Sequence, residues 1–295
     1  MRIFVTGASG FIGSAFVRAA LGAGHEVLAL VRAPERAATL GSHPALDIVT
    51  GTLAEPPWTA IARFAPETCL HAAWITQPAD YRASDENVRL QAESVALARG
   101  LLEQGARRIV ALGTCEEYAP AAGRLDEARA ALAPASAYAR AKHELRLALE
   151  AAARLARAHL TWARIFQPYG PGEPSTRMPS LVIQRVRNGQ PVMLRTPAAL
   201  RDWIHVEDVA SALLHLAQRG ADGIFNVGTG VGHTVEQVAR SIAHRLGQPD
   251  LVMLPPPAGR GMDALVADVT RLRGLGWTPH LDLDMGLARL IEHTR

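Results

Sequence analysis

Residues 2–13 read RIFVTGASGFIG, a short apolar segment followed by three regularly spaced glycines and then by an amphipathic run. The apolar residues predict a strand over Arg2–Thr6, and the run predicts a helix over Phe11–Ala23. A strand that passes through this glycine spacing into a helix is typical of the turn that binds the pyrophosphate of a dinucleotide. The segment therefore predicts both the start of an α/β fold and a nucleotide-binding loop.

Each glycine of this loop has a separate physical task. Gly7 permits the tight turn, Gly10 lets the backbone approach a pyrophosphate, and Gly13 allows close packing of helix against strand. Phe11 and Ile12 open the helix, whose N-terminus favours an anion. The alternative is a tight strand–helix turn without a ligand, and the flanking strand and helix favour the binding interpretation.

Alternation of strands and helices continues to about residue 165 and predicts a Rossmann-type, doubly wound parallel sheet with helices on both faces. Further strands are predicted at Glu26–Val31, Leu46–Thr50, Thr68–Ala73, Arg108–Gly113 and Leu160–Ile165. Further helices are predicted at Pro57–Phe64, Asp85–Glu103 and Ser136–Ala156. We expect residues 1–165 to form the dinucleotide-binding domain. Residues 166–295 should form mainly a smaller substrate-binding lobe, with segments that return to the main sheet.

Shorter elements are expected after residue 165. The prolines and glycines of Gln167–Pro179 predict an irregular loop, and Thr234 with Gln237 predicts a capping box at a helix start. The remaining predicted elements are helices at Leu181–Asn188 and Val206–Gln218, a strand near Pro191–Leu194 and a strand at Ile224–Val227.

Composition excludes several classes of protein. The chain has 295 residues, 48% of them apolar, a net charge of +3 and two cysteines. A mean hydropathy of +0.05 without a long apolar run excludes a membrane span, and dispersed basic residues argue against a nucleic-acid partner. Because the strand and glycine pattern begins at residue 2, we expect no signal peptide. Two cysteines form neither a disulfide framework nor a metal site, so we expect a protein of the reducing cytoplasm.

The end of the second strand bears on the choice of dinucleotide. An acidic residue usually binds a free ribose 2′-hydroxyl at this place. Here Val31 and Arg32 occupy it, and Arg36 follows one helical turn later. Because guanidinium groups pair with phosphate oxygens, these arginines favour NADP(H), with NAD(H) as the alternative. They could also simply face solvent.

Tyr138 and Lys142 are spaced four residues apart on a predicted helix and therefore lie on one face. Lys142 is the only lysine of the chain, whose other basic residues apart from histidine are arginines. A nearby ammonium lowers the pKa of a phenol, so Tyr138 would exchange a proton near neutral pH. Thr114 ends the fifth predicted strand, where the ligand crevice of such a sheet lies, and its hydroxyl could bind the reacting oxygen.

These motifs resemble the extended short-chain dehydrogenase/reductases, in particular the nucleotide-sugar epimerases, dehydratases and reductases. The resemblance extends over nearly the whole chain. The matching segments are 7–13, 71–73, Asn87, Thr114, 138–142, 164–172, 201–208, 225–228 and 275–279. It implies that Tyr138 is the general acid/base, that Lys142 holds the nicotinamide ribose, and that Thr114 binds the substrate oxygen. It places Ala72, Ala73 and Asn87 at the cofactor.

The resemblance also implies contacts with a nucleotide-diphosphate sugar. Arg201 would bind the diphosphate, with Arg260 as a second candidate, and Gln167 stands where many relatives have asparagine. Three further residues are placed at the substrate: Trp74, Cys115 and Glu116. Trp74 could instead fill the core, and Cys115 could be a small residue that lines the pocket. No metal ligands are predicted.

The pattern around Thr114 is most similar to reductases of nucleotide-linked 4-keto-6-deoxy sugars. The 4,6-dehydratases place two acids after the threonine, whereas Cys115 replaces the first acid here and Glu116 keeps the second. A 4-epimerase or 4,6-dehydratase with tightly bound NAD(P) remains the alternative. A non-catalytic NADP-binding sensor or scaffold is the alternative of another class. The resemblance also implies a homodimer that forms through the helices at Asp85–Glu103 and Ser136–Ala156.

Overall fold

The structure, a computed structural model, describes residues 1–75, 81–256 and 263–294. Within them the strands are β1 (Arg2–Thr6), β2 (Glu26–Val31), β3 (Leu46–Thr50), β4 (Thr68–His71), β5 (Arg108–Thr114), β6 (His159–Ile165), β7 (Gln167–Tyr169), β8 (Val192–Met193), β9 (Leu200–His205), β10 (Gly223–Val227), β11 (Gly232–Thr234), β12 (Val252–Met253) and β13 (Ala264–Leu265). The α-helices are α1 (Phe11–Gly22), α2 (Trp58–Phe64), α3 (Glu86–Glu103), α4 (Ala137–Leu155), α5 (Met178–Arg187), α6 (Val206–Arg219), α7 (Val235–Arg245), α8 (Thr270–Gly274) and α9 (Leu283–His293).

A parallel sheet with the order β10-β6-β5-β4-β1-β2-β3 forms the centre of the molecule. The strand order reverses between β1 and β4, and ligands of doubly wound folds bind in the crevice outside the strand ends at such a reversal. The predicted doubly wound, Rossmann-type sheet is therefore confirmed.

Helices cover both faces of this sheet because its strands alternate their apolar side chains between two cores. Ile3 and Val5 belong to one core together with residues of α1 and α6. Phe4, between them, belongs to the opposite core, which includes residues of α3. The next core along that face packs α4 against β5 and β6. Helix α4 begins where Ser136 caps it by accepting a hydrogen bond from the backbone N–H of Ala139.

The smaller lobe has its own core. A second sheet is formed by β7, β9, β11 and β13, and β8 pairs with β12. Apolar residues of α5, α7 and α9 pack against this region. The lobe is not a separate stretch of chain, because β10 pairs with β6 of the main sheet and α6 packs on α1.

The structure corrects some expected boundaries. The segment Gln167–Pro179, expected as an irregular loop, contains strand β7 and the first residues of α5. Pairing of β7 with β9 forms that strand, and neighbouring sequence does not reveal such a long-range contact. Strand β4 ends at His71 rather than at Ala73. Over the described residues, no helix has the length and apolar character that crossing a membrane requires.

Candidate functional site

The glycine loop brings β1 and β4 close together at the crevice. Gly7 has a φ of +64°, and a Cβ atom there would lie 2.7 Å from the backbone carbonyl carbon of Ala72 and from the backbone nitrogen of Ala73. A Cβ on Gly13 would lie 2.1 Å from the carbonyl oxygen of Gly7. Both positions therefore need glycine for contact reasons, as the sequence predicted, and Ala72 and Ala73 line the crevice beside the loop.

The start of α1 has the form of an anion-binding cradle. Gly10 precedes the helix and provides no side-chain cap, and the first turn contains no acidic residue. The backbone N–H groups of Phe11, Ile12 and Gly13 precede the first full intrahelical hydrogen bonds, so they remain available to an external acceptor. Together with the positive end of the helix dipole, this arrangement fits the pyrophosphate of a dinucleotide.

Arg32 and Arg36 lie beyond the end of β2, and both side chains are exposed. Among the described residues, neither forms a salt bridge. Their guanidinium groups are therefore available to a ligand near the ribose end of the crevice. This placement is compatible with a 2′-phosphate and equally with solvent-facing side chains.

A buried hydrogen-bond network supports the crevice from below. His71 bonds through Nδ1 to the hydroxyl of Thr6 at 2.9 Å and through Nε2 to the hydroxyl of Ser94 at 2.9 Å. The Thr6 hydroxyl also accepts a hydrogen bond from the backbone N–H of Ala73. Burial, with the charge of Lys142, lowers the pKa of His71 to about 3, so the imidazole is neutral at physiological pH. The network therefore links β1, β4 and α3 without a charge.

Thr114, Tyr138 and Lys142 are brought together at the carboxyl end of β5. Thr114 ends that strand, and Tyr138 and Lys142 lie one turn apart at the start of α4. The Thr114 hydroxyl accepts a hydrogen bond from the backbone N–H of Glu116 at 3.2 Å, so its own proton is available to another acceptor. The Thr114 side chain lies beside the Tyr138 phenol.

The protonation of this group differs from the sequence-based expectation. Burial, together with Tyr81 and Glu116, raises the pKa of the Tyr138 phenol, and the Thr114 hydroxyl only partly opposes this. The expected acidified phenol is therefore wrong for this structure, because desolvation of the phenolate outweighs other effects. The Lys142 ammonium instead donates to the carbonyl oxygen of Leu112 at 3.0 Å.

Two aromatic rings surround the Tyr138 phenol. The centroid of Tyr81 lies 5.0 Å from that of Tyr138, and the centroid of Trp74 lies 6.4 Å away, both edge-on. Asn87 holds them in place: its side chain accepts from the Trp74 indole N–H and donates to the carbonyl oxygens of Tyr81 and Ser84. Asn87 is fully buried, so the structure uses its amide for the aromatic wall rather than exposing it to a cofactor.

The two residues after Thr114 are both constrained. Glu116 accepts a forked hydrogen bond from Arg82, with Nη2–Oε1 at 2.6 Å and Nε–Oε2 at 3.0 Å. Cys115 is 5% exposed, and burial raises the pKa of its thiol to about 12. A carboxylate in an ion pair and a buried neutral thiol are poor proton-transfer groups.

Sequence reasoning missed the role of Glu117, whose carboxylate is fully buried behind Thr114. It forms an ion pair with Arg164, another fully buried side chain. The signal was present in the sequence, because Arg164 interrupts the otherwise apolar end of the strand at Leu160–Ile165. A charge in such a place requires a buried partner of opposite sign.

The candidates for the diphosphate are only partly described. Arg201 lies on β9, and its guanidinium forms a salt bridge at 2.7 Å with the half-exposed carboxylate of Asp263. Gln167 lies on β7, opposite Trp203 of β9, and is half-buried. Arg260 lies outside the described residues. The described parts of the chain contain no cluster of three His, Cys, Asp or Glu side chains that could hold a metal.

The chain is similar to known proteins over nearly its full length. The model of the NAD dependent epimerase/dehydratase family matches residues 3–228. The chain is 29% identical to dTDP-6-deoxy-L-talose 4-dehydrogenase (NAD(P)(+)) of Kitasatospora kifunensis, over 96% of this chain and 92% of the relative. It is also 29% identical to UDP-glucose 4-epimerase of Mycolicibacterium smegmatis, over 100% and 99%. The crystal structure of UDP-glucose 4-epimerase from Thermus thermophilus in complex with NAD superposes with a TM-score of 0.84 at 26% identity, over 100% and 99%.

Proposed function

Since the chain belongs to the NAD dependent epimerase/dehydratase family, we propose that it is an NADPH-dependent reductase of a nucleotide-diphosphate 4-keto-6-deoxy sugar. The observation that carries this proposal is that Thr114, at the end of β5, and Tyr138, in the first turn of α4, meet at the crevice. A carbonyl oxygen placed between them would receive two hydrogen bonds, which polarise the carbonyl for attack at carbon.

The chain offers groups for three parts of the dinucleotide. The N–H groups of Phe11, Ile12 and Gly13 would bind the pyrophosphate, and Arg32 would pair with a ribose 2′-phosphate. Lys142 would hold the nicotinamide ribose. When bound, NADPH supplies the hydride that reduces the carbonyl carbon.

The raised pKa of Tyr138 keeps the phenol in the protonated form with which a reduction begins. In the reducing direction the phenol must hold a proton until the carbonyl oxygen becomes basic, and then donate it. A phenol whose pKa is raised by burial keeps its proton at neutral pH and gives it up only to a strongly basic oxygen, such as the alkoxide that hydride addition forms. In an enzyme that first oxidises an alcohol, the same residue must begin as a phenolate, which burial disfavours. After donation, the Lys142 ammonium stabilises the phenolate.

Dehydration is disfavoured by the residues that follow Thr114. Elimination of water needs a further base and a further acid next to the sugar. Glu116 is held by Arg82, and Cys115 is a buried thiol. Neither is placed to move a proton at neutral pH.

A 4-epimerase is the second candidate. Its support is the full-length similarity to UDP-glucose 4-epimerases in both sequence and structure. An epimerase oxidises and then reduces the same carbon with a dinucleotide that stays bound. It would therefore consume no external NADPH.

The test is NADPH oxidation with a panel of 4-keto-6-deoxy sugars linked to UDP, GDP, CDP or dTDP, run in parallel with NADH. We expect stoichiometric oxidation of NADPH with one nucleotide class and slower oxidation of NADH. Interconversion of C4 epimers without NADPH would establish the epimerase. Tight NADPH binding without turnover of any sugar would indicate a sensor or scaffold instead.

A further inference from the structure

The indole of Trp74 lies directly against the ammonium of Lys142. Nζ of Lys142 is 3.8 Å from the centroid of the Trp74 ring. This separation is well within the roughly 6 Å over which the negative face of an aromatic ring attracts a cation, and tryptophan provides the strongest such attraction. Lys142 is only 2% exposed, so water screens the contact little and the attraction is stronger than it would be at a surface.

This contact supplies a partner that hydrogen bonding does not. An ammonium has three N–H donors, and the structure directs one of them to the carbonyl oxygen of Leu112 at 3.0 Å. Among the described residues, Lys142 forms no salt bridge. A buried charge needs compensating contacts for its lost hydration. The carbonyl group and the indole face are the direct contacts that provide this compensation.

Trp74 is fixed at two points. Its N-terminal neighbour Ala73 donates its backbone N–H to the hydroxyl of Thr6 at 3.2 Å, which ties the end of β4 to β1. The indole N–H of Trp74 donates to Oδ1 of Asn87 at 2.8 Å, and Asn87 is fully buried on α3. The ring is therefore held in one orientation with its face towards Lys142.

The same ring connects the two members of the proposed catalytic pair. Its centroid lies 6.4 Å from that of Tyr138, edge-on, while its face is against Lys142. The half-buried indole packs against two cores of the main sheet, one that includes residues of α3 and one between α4, β5 and β6. Trp74 thus lies where the end of β4 meets α3 and α4, and it contacts neither the glycine loop nor the arginines after β2.

We propose that Trp74 is a positioning residue of the dinucleotide site, whose indole face holds the Lys142 ammonium in place and keeps water from it. With Leu112 on one N–H and the ring on another side, the ammonium retains a donor for a ribose hydroxyl. This role in binding rests on the proposed function of Lys142, whereas the contact between ring and ammonium can be measured without any ligand. It differs from the role of a sugar-site wall, which the family resemblance implied for Trp74.

NMR of protein labelled with ¹³C,¹⁵N-lysine tests the contact, because Lys142 is the only lysine and gives a single set of side-chain signals. Protons above the face of an aromatic ring resonate upfield, so we expect the Hε signals of Lys142 upfield of those of free lysine. Spectra are recorded at pH 6, because burial lowers the pKa of Lys142 to about 7 and the ring attracts the charged form. Trp74→Leu should abolish the upfield shift. Identical Hε signals in wild type and Trp74→Leu would overturn the proposal.

Two variants of Trp74 separate the ring face from the bond to Asn87. Trp74→Phe and Trp74→Leu both remove the indole N–H, but only Trp74→Phe keeps an aromatic face. We expect Trp74→Leu to weaken NADPH binding about tenfold, the size of a desolvated cation–π contact, and Trp74→Phe to weaken it less. Trp74→Phe should also retain most of the upfield shift of Lys142. Equal NADPH affinities of the two variants would show that the ring acts only by packing.

Trp58→Leu is the matched control. Trp58 is another half-buried tryptophan that packs against the same core from α2, and its replacement should leave both the Lys142 signals and NADPH affinity unchanged. If Trp74→Leu fails to fold, Trp74→Met removes the aromatic face while keeping more of the side-chain volume, and the same losses are expected. Equal losses in Trp58→Leu would contradict a specific role of Trp74.

Steady-state kinetics distinguish the dinucleotide site from the sugar site. We expect Trp74→Leu to raise KM for NADPH more than KM for the nucleotide sugar. A raised KM for the sugar with unchanged NADPH affinity would overturn the proposal and make Trp74 a wall of the sugar site. If wild type binds NADPH but reduces no sugar, the proposed function fails, while the Lys142 signals and NADPH affinity still decide the role of Trp74. A wild type that binds neither NADPH nor NADH would overturn both.

Discussion

At the residue scale, the candidate chemistry depends on how burial sets the protonation of Tyr138 and Lys142. Burial raises the pKa of the Tyr138 phenol and lowers the pKa of the Lys142 ammonium to about 7. In both side chains the uncharged form is therefore more favoured than it would be in water. The phenol thereby keeps the proton that a reductase must deliver. The ammonium donates a hydrogen bond to the carbonyl oxygen of Leu112.

Replacing Tyr138 by phenylalanine tests the proton donor. We expect Tyr138→Phe to lower kcat by about 10²–10⁴-fold, the usual contribution of a general acid, with NADPH affinity nearly unchanged. Tyr81→Phe is the matched control, because this neighbouring ring contacts Tyr138 edge-on but is not the proposed donor. Comparable losses in both variants would mean that Tyr138 acts only through packing.

The sequence revealed the i, i+4 pair but not its electrostatics. The spacing of Tyr138 and Lys142 on one helix face follows from helix geometry alone. The direction of the phenol pKa depends on Tyr81, Glu116 and burial, which come from distant parts of the chain. Arg164 in an apolar strand indicated that a buried acidic partner exists. The sequence could not identify Glu117 as that partner, because the two residues are far apart along the chain.

At the scale of elements, the neutral side chain of His71 connects the ends of β1 and β4 to helix α3. His71 joins β1 to α3 through the hydroxyls of Thr6 and Ser94. Its pKa is about 3 in the fold and near 6.5 when unfolded, so between these values only the unfolded chain binds the proton. The neutral His71 therefore contributes fully to the free energy of unfolding above pH 6.5, and this contribution is lost as the pH falls below that value.

We therefore expect wild type to lose about 1.4 kcal/mol more unfolding free energy per pH unit below pH 6.5 than His71→Gln, which has no proton to gain. Urea unfolding at pH 7 and pH 5 measures the difference in slope. His159→Gln, a change at an exposed histidine, should behave as wild type. Parallel pH slopes in wild type and His71→Gln would show that His71 is not the titrating group.

Helix α1 provides an internal comparison of two glycines. A Cβ on Gly13 would meet the carbonyl oxygen of Gly7 at 2.1 Å, whereas a Cβ on Gly22 has no neighbour within 4 Å. Gly13→Ala should destabilise the protein by about 1–3 kcal/mol and weaken NADPH binding, because the loop must move. Gly22→Ala should be neutral or stabilising by up to about 1 kcal/mol. Thermal unfolding and NADPH titration distinguish them, and equal behaviour would refute the close-packing argument.

The main-sheet strands were predictable from the sequence, as was β8 of the small lobe, whereas the strands β7, β9, β11 and β13 were not. Strands β1, β2 and β3 are apolar runs between polar turns, and the expected bounds match the observed ones. Strand β9 contains Asp202, which is fully buried and accepts from the backbone N–H groups of Gly230 and Ala267. Hydrogen bonds from residues distant in sequence allow this carboxylate to be buried, so a polar segment can form a buried strand. The local pattern of polar and apolar residues does not reveal such contacts.

At the scale of the whole molecule, helices α3 and α4 pack together on one face and also carry exposed apolar residues. Val88 is 67% exposed and Leu147 is 49% exposed. We propose that this face forms the homodimer contact. The variant Leu147→Glu should then shift the protein to monomer in light scattering. Met193→Glu, a change at an exposed residue of the small lobe, should not. A monomeric wild type would contradict the proposed dimer.

The architecture places the two halves of the proposed reaction on different parts of the chain. The nucleotide-binding loop and the Tyr138–Lys142 pair lie on the main sheet, whereas Arg201 and Gln167 lie on strands of the small lobe. The doubly wound order predicts a crevice at the strand ends between them. Under the proposed function, we expect the lobe to recognise the nucleotide and the sugar, and the sequence was least informative there.

The most direct test follows a deuteride from NADPH labelled with deuterium at both C4 positions of the nicotinamide. With the accepted nucleotide-linked 4-keto sugar, we expect one deuterium at C4 of the product sugar for each NADPH oxidised, detected by NMR and mass spectrometry. The phenol of Tyr138 supplies the proton on oxygen. If the 4-keto sugars consume no NADPH, and a nucleotide sugar that carries a C4 hydroxyl is instead converted into its C4 epimer without gaining deuterium, the reductase is contradicted and the epimerase is established.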